Sequence, residues 1–78
     1  MKFKRAFELM KNGAKIKLPS WGGYWYWDDE KKTVIMHTKD GKEMDIRETE
    51  RVIYTLSNIL DDRWVLADKE NCPELGGV

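Results

Sequence analysis

Thiol and imidazole side chains, the usual nucleophile, base and zinc ligand, are few in this chain and lie far apart. It holds one Cys, Cys72, and one His, His37. A single Cys cannot close an internal disulfide, which suits a reducing compartment. One His and one Cys cannot build a zinc site without several carboxylates in support. They make a poor nucleophile pair as well, because Cys72 lies in the polar stretch 68–73, where catalytic geometry is hard to hold. His37 falls on a strand-like segment and reads as a half-buried packing residue. Ser20 and Ser57 lack the Gly-x-Ser-x-Gly setting of a nucleophile elbow, and no glycine pattern of a phosphate loop is present. No catalytic residue, metal or cofactor is expected.

Binding chemistry is better supplied. Trp21, Tyr24, Trp25, Tyr26 and Trp27 crowd into one short stretch. Along a strand, Tyr24 and Tyr26 point one way while Trp25 and Trp27 point the other. One pair can fill the core, and the other must meet solvent, a ligand or a second subunit. Gly22-Gly23 would let a ligand approach the backbone closely. Flat aromatic faces stack bases, worth roughly 1–3 kcal/mol per base, and nearby Lys or Arg side chains would take phosphates. The competing reading puts all five aromatics in the core and a dimer interface, because small domains need large side chains.

The elements that must position these residues can be read from periodicity. Phe3, Ala6, Phe7 and Met10 recur at helical spacing with Leu9 beside them. Lys2, Lys4, Arg5, Glu8 and Lys11 take the opposite face. Asn12-Gly13 ends this helix, and no Ser, Thr or Asp caps its start. Ala14–Leu18 alternates lysines with Ile16 and Leu18, which predicts a strand with one wet face. Pro19-Ser20 breaks it. Tyr24–Trp27 reads as a second strand, Asp28–Lys31 as a loop, and Lys32–His37 as a third strand. Asp40-Gly41 signals a hairpin before a fourth strand at Lys42–Ile46. Val52, Ile53, Leu56, Ile59 and Leu60 have helical spacing but include β-branched residues, so a short or irregular helix is expected. Arg63–Leu66 closes as a strand. The fold class is therefore α+β, an N-terminal helix packed on an antiparallel meander of four to five strands with a short second helix. Residues 1–67 form one domain, and 68–78 read as a polar tail.

Composition narrows the partners. Fourteen basic and fourteen acidic residues give a formal net charge of zero, against both a general nucleic-acid binder and a polyanion mimic. The charges are nonetheless segregated. Residues 1–18 hold six basic side chains and one acidic, net +5, while residues 19–78 hold eight and thirteen, net −5. A basic patch facing an anion, or two copies pairing basic end to acidic end, would fit that split. No apolar run is long enough for a bilayer and no secretory signal is evident. A cytoplasmic protein with no membrane partner is expected. So small a domain, burying only about 60% of its unfolded surface, gains from oligomerisation or a ligand.

Two motif groups carry a resemblance to a known family. The first is Phe3-Lys4-Arg5-Ala6-Phe7-Glu8-Leu9-Met10-Lys11-Asn12-Gly13-Ala14-Lys15-Ile16, followed by Ser20-Trp21-Gly22-Gly23. The second is Thr55, Asn58, Ile59-Leu60, Asp61-Asp62 and Trp64. In order and spacing, residues 3–66 resemble the second type of phage Thoeris anti-defence protein. Glycine takes the asparagine place after Trp21, Asn58 stands where aspartate is common, and Arg63 where an acid is common. The resemblance implies a sponge: a homo-oligomer, dimer or tetramer, that sequesters a cyclic ADP-ribose-type signal without turnover in pockets between subunits. Carried over by position, Trp21 would pack on the adenine or ribose, Thr55 and Asn58 would bond its polar edge, and Asp62 would address a ribose hydroxyl. From chemistry alone, Tyr24 and Tyr26 are candidates on the same wall, and Lys17 or Arg51 could meet the pyrophosphate. Relatives of this domain also act as anti-CRISPR proteins, so direct contact with a defence nuclease is the rival expectation. A phage accessory protein without a small ligand, and an enzyme, follow in that order.

Overall fold

The apolar stripe Phe3, Ala6, Phe7, Met10 forms helix α1 (Phe3–Lys11), which buries Ala6 and Met10 completely. Gly13 ends it in the left-handed region at φ 104°, with Gly13 N–H donating to the Met10 carbonyl. At the uncapped start, the N-terminal ammonium of Met1 donates to the Trp64 carbonyl at 2.7 Å, and Trp64 N–H donates back to Met1 O. This computed structural model describes residues 1–72 together with Leu75.

Five antiparallel strands follow: β1 (Ile16–Lys17), β2 (Tyr24–Asp28), β3 (Thr33–His37), β4 (Glu43–Asp45) and β5 (Val65–Leu66), in the order β4-β3-β2-β1-β5. A 3₁₀ turn (Ile46–Glu48) and helix α2 (Val52–Leu60) lie between β4 and β5. The fold is α+β, as the periodicities predict. In the β2–β3 hairpin Tyr24 faces His37 and Trp25 faces Met36, and in the β3–β4 hairpin Met36 faces Met44. Trp25, Met36 and Met44 therefore share one face of the sheet, while Tyr24, Tyr26, Ile35, His37 and Glu43 share the other.

The core lies on the tryptophan face. Ile16, Leu18, Trp25, Val34 and Trp64 pack with Ala6 and Met10, with Phe3, Phe7, Trp21, Trp27 and Met36 closing around them. Trp64 is fully buried, and its Nε1–H donates to the Asn58 carbonyl at 3.1 Å.

Local differences from the sequence reading have definite causes. The fourth strand stops at Asp45 rather than Ile46, because the Asp45 carboxylate accepts from Arg47 N–H and starts the 3₁₀ turn. The wet face expected for β1 is dry at Lys17, which is 1% exposed. Residues 68–72, read from sequence as the start of a tail, turn back over it. Lys17 Nζ donates to Asn71 O at 2.7 Å, and the buried Cys72 thiol donates to Gly22 O at 3.3 Å. The rest of the expected tail, residues 73–74 and 76–78, lies outside the described residues.

Candidate functional site

Three pieces meet over the exposed end of the tryptophan face. The loop Ser20–Gly23 runs from β1 to β2, with Trp21 N–H donating to Leu18 O to close its turn. The β3–β4 turn brings Thr38 and Lys39 alongside, with Gly41 supplying the positive φ of 84° that the turn requires. Helix α2 then lies across, preceded by Thr49 and Arg51. Together they enclose an open cavity of about 460 Å³, floored by Trp25, Met36 and Met44, within the roughly 300–1,000 Å³ that small-molecule sites occupy.

The two glycines line the cavity and also serve the packing around it. A methyl group at Gly22 would sit 2.9 Å from Lys39 Cβ, and one at Gly23 would overlap the His37 carbonyl oxygen. Their missing side chains let the β3–β4 turn pack against the loop. Close approach is made by the protein itself.

Trp21 is half-buried. Its ring lies 5.3 Å from those of both Trp25 and Trp64, edge-on to the latter. That contact fixes the indole as a rigid wall. On the opposite wall Arg51 holds its guanidinium over the Tyr54 ring, 4.7 Å from the centroid. Thr55 donates its hydroxyl to Arg51 O at 3.0 Å and stands 3.5 Å from the Thr49 hydroxyl. Asn58 is 9% exposed and lines the cavity, yet its side-chain amide bonds to no other described residue. Its amide atoms therefore reach solvent at the cavity wall, where they can donate and accept. Among the described lining side chains Lys39 and Arg51 are cationic and none is a carboxylate, a balance that favours an anion.

The cavity therefore gathers Trp21, Gly22, Arg51, Thr55 and Asn58. It leaves out Tyr24, Tyr26, Lys17 and Asp62. Strand alternation sends Tyr24 and Tyr26 to the far face, away from the Trp21 wall. There Tyr24 stacks on His37 at 4.6 Å, and Lys15 Nζ lies over the Tyr24 ring. Tyr26 donates its hydroxyl to Glu43, which also bonds His37 Nδ1 at 3.0 Å. Burial, then the Glu43 carboxylate, pushes the Tyr26 phenol up to about 12, while the bond to His37 lowers Glu43. Lys17 is committed to the returning chain, and Asp62 is exposed beyond α2.

Lys39, Tyr54, Met36 and Met44 were missed. The two methionines follow from Trp25 by period two, but only once both hairpin registers are known. Lys39 and Tyr54 carry no signal of their own. Among the described residues no cluster of His, Cys, Asp or Glu could hold a metal ion, and no helix is long and apolar enough to cross a membrane. Set against known protein families, curated proteins and solved structures, the chain finds no match.

Proposed function

We propose that this chain is a phage anti-defence protein that sequesters a cyclic nucleotide signal of the cyclic ADP-ribose type, without turnover, in the host cytoplasm. The observation that carries the reading is the cavity. It joins Trp21 to Arg51, Thr55 and Asn58, which are distant in sequence, around a volume with two cations and no carboxylate among its described lining residues. Trp21 offers an indole face and edge for an adenine. Arg51 and Lys39 supply charge-assisted hydrogen bonds for a pyrophosphate. Asn58 presents an amide for a ribose or base edge. Retention without chemistry suits a lining in which the Thr55 hydroxyl is already bonded to backbone and no acid–base pair of carboxylates is at hand. Homo-oligomers, dimers or tetramers, belong to the same reading.

The test is uptake and recovery. Purified protein is mixed with cyclic ADP-ribose or its isomers, separated from free nucleotide, then denatured and assayed. Intact nucleotide in the released fraction is the expected result. Arg51→Ala should weaken uptake about 10–150-fold, the worth of one charge-assisted bond at roughly 1.5–3 kcal/mol, with an unchanged melting temperature. Altered nucleotide would make the protein an enzyme. No uptake of any cyclic nucleotide would overturn the reading in favour of direct contact with a defence nuclease.

A further inference from the structure

Helix α2 turns only Ile59 of its large apolar side chains toward the core. Its polar residues Thr55 and Asn58 are buried, while Ile53 is 77% exposed, Leu60 84% exposed, and Val52 and Leu56 about half exposed. Ile53, Leu56 and Leu60 recur at i, i+3 and i+7, so they form one continuous outward stripe with Val52 at its edge. No residue from Val52 to Leu60 is charged. Ser57, on the same side, donates its hydroxyl to Ile53 O at 2.9 Å and so asks little of water.

We propose that this stripe is the surface through which two copies of the chain pair, α2 against α2 across a two-fold axis near Leu56. The inference rests on the homo-oligomer part of the reading above and names its surface. Three features favour a second copy over an unrelated partner. An apolar stripe without charges is complementary to itself, as a two-fold interface requires. The chain's zero net charge imposes no long-range repulsion between copies. The area is also sufficient: the four side chains expose roughly 500 Å² per copy, so a pair buries about 1,000 Å². Tyr54, Ser57 and the helix ends bring that to the lower edge of the roughly 1,200–2,000 Å² typical of specific interfaces. In an antiparallel pair Arg51 of each copy approaches the Asp61-Asp62 end of the other. Glu48 and Glu50 stand at the same end as Arg51, so the charge contribution is small and the apolar contact dominates.

The experiment measures mass by sedimentation or light scattering over a concentration series, without nucleotide. The wild-type chain should run at about 18 kDa or a multiple of it, against 9.2 kDa for one copy. Ile53→Glu and Leu60→Glu, each at an exposed position, should stay folded by circular dichroism and weaken the pairing at least 100-fold. Leu56→Cys in a Cys72→Ser background should cross-link to a dimer on mild oxidation, whereas Lys4→Cys in that background should not. A wild-type monomer throughout the series, a dimer that survives both glutamates, or unfolding of both variants would each overturn the proposal. Because no nucleotide is present, these outcomes are separate from failure of the uptake assay.

Discussion

Gly23 shows how a single missing side chain can set the shape of the site. A Cβ there would overlap the His37 carbonyl oxygen, and backbone cannot swing aside as a flexible side chain can. Gly23→Ala should therefore separate the loop from the β3–β4 turn and lower the melting temperature by ten degrees or more, measured by circular dichroism. A change of a degree or two would show that the contact is not needed. Two lysines make a cleaner pair. Lys39 lines the cavity and Lys17 does not, so Lys39→Ala should weaken nucleotide uptake about tenfold, the low end for a bond to a charged group. Lys17→Met should leave uptake within twofold. Equal losses would mean that Lys17 reaches the ligand. Sequence alternation assigned Lys17 to a wet face because its partner Asn71 comes from far along the chain. Thr55 and Asn58 were singled out in the sequence only by the resemblance. By residue type alone they read as solvent-facing positions on a helix.

At the level of elements, aspartates start or close turns at two joints. Asp45 accepts from the Arg47 backbone and guanidinium at the β4 end, and Asp61 does the same for Arg63 after α2. The paired Arg63 guanidinium brings the Asp61 carboxyl down to about 2, and Arg47 holds Asp45 well below the usual carboxylate range. A carboxyl lowered on folding adds stability above its unfolded value, near 3.9, and that stability is lost as pH falls through the folded value. The wild-type chain should accordingly lose stability between about pH 4 and pH 2. An Asp45→Asn, Asp61→Asn double variant should start lower at pH 7 and lose less over that interval in urea titrations. The guanidinium of each pair is exposed while its carboxylate is largely covered, so high salt should shrink the effect only in part. Superimposable acid limbs would refute this account. Both helices and the antiparallel meander were legible, since period 3.6 and period 2 are written plainly in residues 3–60, but the pairing of β5 with β1 was not. The orientation of α2 was not. An apolar stripe ordinarily marks the buried side, and here Thr55 and Asn58 are turned inward, where the Thr55 hydroxyl bonds Arg51 O and the Asn58 carbonyl accepts from Trp64.

Over the whole molecule, 78 residues enclose one small core with a radius of gyration of 11.7 Å. Such a domain is marginal alone, and pairing through α2 would tie its stability to its own concentration. The melting temperature should rise by several degrees between 1 and 100 µM protein in scanning calorimetry. In Ile53→Glu it should stay flat. The cavity escaped sequence reading at this scale because its walls come from a loop, a hairpin turn and a helix that meet only after the sheet has formed. The tryptophan cluster has a practical consequence of another kind. Trp21, Trp25 and Trp64 hold their rings 5.1–5.3 Å apart at fixed angles. Indoles that close couple their electronic transitions, so the folded chain should show a paired positive and negative band in its circular dichroism. A base laid on Trp21 would disturb that coupling and quench emission from the group. The protein thus carries its own optical probe at the cavity wall, and occupancy can be followed without a label on either molecule.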